Sequence, residues 1–336
     1  MECKQPAIAD ELKRRIEAGI YSDFLPDTAT LADEFDVNIK TMAKAINRLV
    51  KEGLLTRRRR SGTRVRKDPV GVSGDPLVEV LFEGFESLFT HPFWGEIWDG
   101  LVSRLSVSGY RPILHMLHGN PATGALDLSS FSLNPAAGRI ILGISDKSVF
   151  DAAEKTGVPF LSACDALNLP VPQVFFDFSY GIQKAVDHLS DRGCRKIAFI
   201  GPVIPRNPAE ITHKYSAYRK AMENNGLSEF ITMEHAFMGA QDAANALKIL
   251  LERMTPDAVI AAHDHQLPAI LDLLHTRSLK IPVIGCDGLR MDKLPSKRHM
   301  VKIPLHECGE AAARQLITAI IRKQKPVSFV LPSAFV

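Results

Sequence analysis

The sequence predicts an α/β protein in two parts, an amino-terminal winged helix-turn-helix and a larger, two-lobed domain built on parallel sheets. Three observations lead to it. Apolar residues recur at three- and four-residue spacing through the first 50 positions, a short Arg-rich hairpin pattern follows them, and beyond residue 76 short apolar runs alternate with longer helical ones.

Ile8, Ala9, Leu12 and Ile16 give residues 6–18 one apolar face, and Gly19 ends that helix. Asp27 or Thr28 caps a short second helix that buries Leu31, Ala32 and Phe35, with Asp36 and Val37 forming the turn out of it. Asn38 then caps a third helix. Met42, Ile46 and Leu49 share one stripe of it, while Lys40, Lys44, Asn47 and Lys51 fall largely on other faces and are free to bind. Gly53 fits a helix C-cap, and Leu54–Thr56 and Thr63–Val65 read as two strands around Ser61 and Gly62. Three helices and a basic hairpin suit DNA: the third helix enters the major groove and the hairpin follows phosphates or the minor groove.

Residues 68–76 mix Pro, Gly and charge without periodicity, which marks a linker between a module at 1–67 and a domain at 77–336. In that domain strand-like runs at Val78–Phe82, Arg111–Met116, Arg139–Gly143, Pro159–Ala163, Lys196–Gly201, Ala258–Ala262 and Val283–Cys286 alternate with helical patterns. Those patterns begin near Phe93, Ser148, Gly181, Tyr215 and Leu267. Short buried strands separated by helices make parallel sheets, and such sheets bind ligands just beyond their strands' carboxyl ends.

Charge separates the two parts. Residues 1–68 carry 15 Lys and Arg against 11 Asp and Glu, net +4, while the remainder carries 26 against 27, net −1. Between 39 and 67, eleven basic residues face one acid, Glu52. A solvated face normally mixes signs, so this excess points to a polyanion, nucleic acid ahead of an anionic membrane surface. Acidic and basic residues crowd the first twenty positions, which leaves no apolar segment for a secretory signal. No run of about 18 uncharged apolar residues occurs, so no membrane partner is expected and the chain reads as cytoplasmic. Cys3, Cys164, Cys194, Cys286 and Cys308 are far apart and form no C-x-x-C pair, which suits buried reduced thiols.

The first 65 residues resemble the GntR family of bacterial regulators through Ile8–Leu12, Leu25-Pro26, Leu31–Phe35, Thr41–Ala45, Gly53–Leu55 and Ser61–Thr63. Residues 76–336 resemble the LacI/GalR regulators and, more distantly, periplasmic sugar-binding proteins. The motifs that carry this are His91–Trp94, Asp177 with Gly181, His188-Leu189, Arg192–Gly201, Tyr218–Ala221, Pro256–Ala258, His263-Asp264 and Gly285–Asp287. The pairing is similar to that of arabinose-responsive repressors, and it implies a periplasmic-binding-protein-like second domain. It also implies DNA contacts by Asn38, Lys40, Thr41, Lys44, Arg48, Arg58, Arg59, Arg60, Gly62 and Thr63. Effector contacts are implied for His91, Phe93, Trp94, Asp177, Lys214, His263, Asp264 and Asp287, since carboxylates accept hydrogen bonds from sugar hydroxyls and an aromatic ring stacks on a sugar face. The sequence also departs from these families. Ala29, Ile39 and Ala43 stand where the GntR pattern has Arg, so family operator preferences do not transfer. Lys214 and His263 stand where the sensor families have Arg and Asn, which leaves the effector's identity open.

His263-Asp264-His265 suggests a metal site, since imidazole and carboxylate both ligate divalent ions, but adjacent i, i+2 residues on a loop with no third ligand positioned by the sequence are weak evidence, and no metal or cofactor is expected. No G-x-S-x-G elbow, Walker loop or G-x-G-x-x-G after a strand is present, so no enzyme activity is expected. The expectation is a homodimeric regulator that binds double-stranded operator DNA and represses carbohydrate-utilisation genes until a sugar or sugar derivative relieves it. The alternatives are a sugar-binding protein without a regulatory role, and an activator or co-repressor with a non-sugar effector.

Overall fold

Helical spacing does in space what it promises in sequence. Ile8, Ala9 and Leu12 are buried on one side of α1 (Lys4–Glu17) against Leu31 and Ala32 of α2 (Thr28–Glu34) and Met42, Ala45, Ile46 and Leu49 of α3 (Ile39–Lys51). The Asp27 carboxylate accepts the N–H groups of Ala29 and Thr30 at 2.9 Å and starts α2. Asn38 Oδ1 accepts the Thr41 N–H at 2.8 Å and starts α3. Between them Asp36 adopts φ 47°, the left-handed conformation that reverses the chain. β1 (Leu55–Arg58) and β2 (Gly62–Val65) pair antiparallel, and Leu55 and Val65 close the base of the helical core.

The computed structural model describes residues 4–17, 20–21, 24–51, 54–58, 62–65, 77–83, 91–118, 126, 128, 131–204, 211–237, 239–292, 294 and 298–336. Gly53, the hairpin turn with Arg59, Arg60 and Ser61, and the linker at 68–76 lie outside them, as does the side chain of Arg58.

The larger domain begins with β3 (Leu77–Glu83), α4 (Pro92–Val107), β4 (Arg111–Leu117), β5 (Gly138–Leu142), α5 (Lys147–Lys155), β6 (Phe160–Cys164) and β7 (Gln173–Asp177). The chain then enters a second lobe through α6 (Ser179–Asp191), β8 (Ile197–Gly201), α7 (His213–Asn224), β9 (Thr232–His235), α8 (Ala240–Arg253), β10 (Ala258–Ala261), α9 (Leu267–Thr276) and β11 (Val283–Gly285). It ends with β12 (Val301–Lys302), α10 (Leu305–Arg322), β13 (Phe329–Pro332) and β14 (Ala334–Phe335). Two all-parallel sheets result, β13-β7-β6-β5-β3-β4 and β11-β10-β8-β9, as the alternation of strand and helix predicts, while β12 and β14 pair antiparallel.

Strand β13 and helix α10 come from the far end of the chain yet complete the first lobe. α10 lies on α4 at backbone contact: a Cβ on Gly309 would stand 2.0 Å from the Ile97 carbonyl oxygen, and one on Gly100 2.0 Å from that of His306. On the first lobe's other sheet face Glu79 is fully buried. It accepts from Arg139 Nε at 2.8 Å and from the Asn134 N–H at 2.9 Å, with His115 Nδ1 also 2.9 Å away. Cys164, Cys286 and Cys308 are buried free thiols, Cys194 is half-buried and free, and Cys3 lies outside the described residues. No helix of the described residues is long and apolar enough to cross a membrane.

Candidate nucleic-acid interface and effector cleft

Burying the Met42, Ala45, Ile46 and Leu49 stripe turns the other side of α3 to solvent. Lys40, Lys44 and Asn47 are exposed there and Arg48 is half-buried, its guanidinium 3.4 Å from the Asp10 carboxylate. Asn38 is exposed, but its side-chain oxygen also takes the Thr41 hydroxyl at 2.9 Å, so both residues serve the start of the helix. On the hairpin Gly62 has φ 78° and is exposed. Thr63, expected to face DNA, is instead buried, because its carbonyl anchors the Leu25 N–H at 2.9 Å and β2 alternates outward and inward from Gly62. The outward position beside it is Arg64, which lies over the Phe24 ring at 5.8 Å. Arg57, one of the eleven basic residues between 39 and 67, is exposed and donates to the Thr28 hydroxyl at 3.1 Å, joining hairpin to α2.

The larger domain gathers several of the expected effector residues. Lys214, on the first turn of α7, donates from Nζ to Asp287 Oδ1 at 2.7 Å and to the Ala262 carbonyl at 2.6 Å, and sits 4.8 Å above the Phe178 ring. Asp287, just beyond β11, accepts the Asp264 N–H at 2.9 Å on its other oxygen, 3.7 Å from His263 Nδ1. His263 follows β10 and stacks on His265 at 5.5 Å between ring centroids. From the other lobe His91 meets His265 edge to face at 5.2 Å and Phe93 at 6.4 Å, so residues 91–94 and 263–265 face each other across the lobes. Trp94 packs edge-on against Phe82 at 5.1 Å and Phe93 at 4.8 Å, and covers Gly143, where a Cβ would stand 2.6 Å from its ring.

Two expected contact residues are engaged by neighbouring backbone instead. Asp264 is fully buried: its Oδ2 accepts from the Leu289 N–H at 2.7 Å and Arg298 Nη2 at 2.8 Å, which pins the loop after β11. Asp177 accepts the Ser179 N–H at 2.9 Å and starts α6. The sequence reading missed Arg298, which lies on an irregular segment without periodicity, and His213, whose buried Nε2 has no hydrogen-bond partner among the described residues. His263 Nε2 is in the same state.

Electrostatics follow from that packing. Burial opposes charge on Asp287, but Lys214 and then His263 hold it well below the ordinary carboxylate range. Burial likewise opposes charge on Lys214, and Asp287 outweighs it, so the ammonium titrates above its usual value. Burial, helped by the Lys214 charge, lowers His263 to about 4. Burial and the Asp287 charge raise Asp264 to about 6. His263, His265 and Asp287 offer donor atoms within 4.8 Å of one another, so the structure supplies the third ligand absent from the local motif. The Lys214 ammonium already engages Asp287 and stands 3.4 Å from His263 Nδ1, which opposes a second cation there.

Residues 4–65 match the family described as bacterial regulatory proteins, gntR family, and residues 186–336 match the periplasmic binding protein-like domain. The chain joins a gntR-family module to a periplasmic-binding-protein-like domain. This two-module chain is 26% identical over 275 residues to the HTH-type transcriptional regulator CelR of Thermobifida fusca, covering 76% of this chain and 78% of that one. It is 24% identical over 176 residues to the ribose operon repressor of Halalkalibacterium halodurans, covering 51% of this chain. The chain spans about half, 52%, of that repressor's length. Among solved structures, a LacI transcriptional regulator from a Rhodococcus species superposes with a TM-score of 0.65 at 27% identity, over 77% of this chain and 96% of that one. A CelR–cellobiose complex shares the fold with a TM-score of 0.65 at 20% identity, over 93% of this chain and 98% of that one.

Proposed function

We propose that this protein is a ligand-responsive transcription regulator, a repressor of carbohydrate-utilisation genes that a sugar or sugar derivative releases from its operator. The observation that carries the reading is the joining, in one chain, of an exposed cationic α3 face to a two-lobed domain whose polar cluster lies beyond the strand ends. Lys40, Lys44, Arg48 and the Arg58–Arg60 run supply phosphate contacts, which dominate affinity at low salt. Lys214, His263 and Asp287 from one lobe and His91, Phe93 and Trp94 from the other hold the effector, polar groups fixing its orientation and rings covering its apolar face. Asp177, Asp264 and Arg298 position that constellation from behind. The reading is supported by the sugar-responsive names of the relatives, a ribose operon repressor and a regulator solved with cellobiose. The protein acts without catalysis, in the cytoplasm, as a homodimer whose paired modules match a two-fold operator.

Lobe closure on the effector changes the spacing of the two DNA-binding modules, and the coupling is on the order of 1–3 kcal/mol. The test is fluorescence anisotropy with fragments of the host's own control regions, repeated across a sugar and sugar-phosphate panel that begins with ribose and cellobiose. Operator binding that one sugar weakens, with a raised melting midpoint for the same sugar, is the expected result. No hold on any fragment, with or without sugars, overturns it.

A further inference from the structure

An isoleucine faces water at the start of the helix proposed for the major groove. Ile39 is the first residue of α3 and 56% exposed, while the core stripe of the same helix is complete without it in Met42, Ala45, Ile46 and Leu49. Ala43 lies one turn on, on the same side, and is half-buried. The polar groups nearest Ile39 in the first turn are already engaged at the helix start. The Asn38 oxygen holds the Thr41 N–H and hydroxyl at 2.8 and 2.9 Å, which occupies the acceptor and the hydroxyl nearest the helix start. Lys40 and Lys44, both exposed, flank the apolar spot with ammonium groups suited to phosphates.

The first turn of a recognition helix is the part that meets base edges, and the only apolar group a base pair presents in the major groove is the 5-methyl of thymine. We infer that Ile39, with Ala43 beside it, reads a thymine methyl group in each operator half-site. This rests on the operator-binding reading above and adds which base α3 selects. Packing one methyl against Ile39 removes about one methylene-sized group from water, about 0.8 kcal/mol, which corresponds to a roughly fourfold change in affinity at tenfold per 1.4 kcal/mol.

The experiment starts with the full-length protein and a random duplex library, from which bound sequences are selected. Each thymine of the selected site is then replaced singly by uracil, which removes the methyl and nothing else, and affinities are measured at one fixed salt concentration. For the wild-type protein one thymine per half-site is expected to show a loss of about fourfold, and Ile39→Ala is expected to abolish that difference. Lys44→Ala weakens binding to thymine and uracil sites alike and keeps the ratio, which separates base reading from phosphate contact. Ile39 is exposed, so its truncation leaves the helical core intact, checked by the melting curve. Uracil without effect at every position, or a methyl dependence that survives in Ile39→Ala, overturns the inference while leaving operator binding in place. Failure of the wild-type protein to select any sequence instead strikes the underlying function.

Discussion

Lys214 Nζ lies 2.7 Å from Asp287 Oδ1 with both side chains largely withdrawn from water, so each group's charge depends on the other. One comes from the first turn of α7 and the other from the loop after β11, 73 residues apart, and the ion pair therefore ties two crossovers of the second lobe together.

Replacing Lys214 with Met strips Asp287 of its counter-charge, and burial then opposes its ionised form. Breaking a buried pair from one side costs about 3–5 kcal/mol, and changing the second partner as well recovers much of it. Chemical denaturation is expected to show Lys214→Met strongly destabilised and Lys214→Met/Asp287→Asn closer to wild type. Equal loss in the single and double variants is the contrary outcome.

His263 and Asp264 oppose each other in pH. His263 is lowered to about 4, so the unfolded chain holds its proton where the folded one does not, and stability on its account falls as pH drops from about 6.5 to 4. Asp264 is raised to about 6, so its contribution is full below about 4 and is lost as pH rises to about 6. The two contributions run in opposite directions between pH 4 and 6. Asp264→Asn is expected to gain stability as pH rises through that window, and His263→Gln to lose it, each by about 2–3 kcal/mol at 1.36 kcal/mol per pKa unit. Melting midpoints across the window decide it; parallel profiles for the two variants refute it.

Glu79 sustains the first lobe. Glu79→Gln leaves Arg139 buried beside a neutral amide, for a loss of about 3 kcal/mol in denaturant. Glu79→Leu/Arg139→Met removes both charges and is expected to be milder than Glu79→Leu alone. A double variant as damaged as the sum of the singles excludes the coupling.

Salt measures the DNA contacts. If Lys40 and Lys44 each neutralise a phosphate, then Lys40→Ala and Lys44→Ala each reduce the slope of log affinity against log salt by about 1. A slope unchanged in both removes these lysines from the interface.

Local signals proved the most legible. The apolar spacing of α1 and α3, the Asp27 and Asn38 caps, and the strand-helix alternation from Leu77 onward stand in the sequence almost as they stand in the fold. Helix α8 escaped because its buried face is largely alanine, Ala243, Ala244 and Ala246, and gives little contrast with its polar side. Strand β13 escaped because its partner β7 lies far back in the chain, and β7 and β9 escaped because Gln173 and Asp177, and Thr232, Glu234 and His235, break their apolar runs. In the cleft, the family resemblance singled out His263 and Asp287, which also follow predicted strand ends, but which way a carboxylate turns depends on tertiary neighbours. Asp264 turns inward because Arg298 and the Leu289 N–H meet it there, a pairing across 34 and 25 residues that no local pattern encodes.

The threading of the first lobe has a consequence for synthesis on the ribosome. Of the larger domain β3 to β7 emerge first, yet they lack their edge strand β13 and the helix α10 that packs on α4 until residues 305–332 are made. The β8–β11 sheet is drawn from one uninterrupted stretch and finishes earlier. The later-translated half is thus the one expected to mature first, with the earlier-translated half waiting, sticky and half-built, for the tail to arrive.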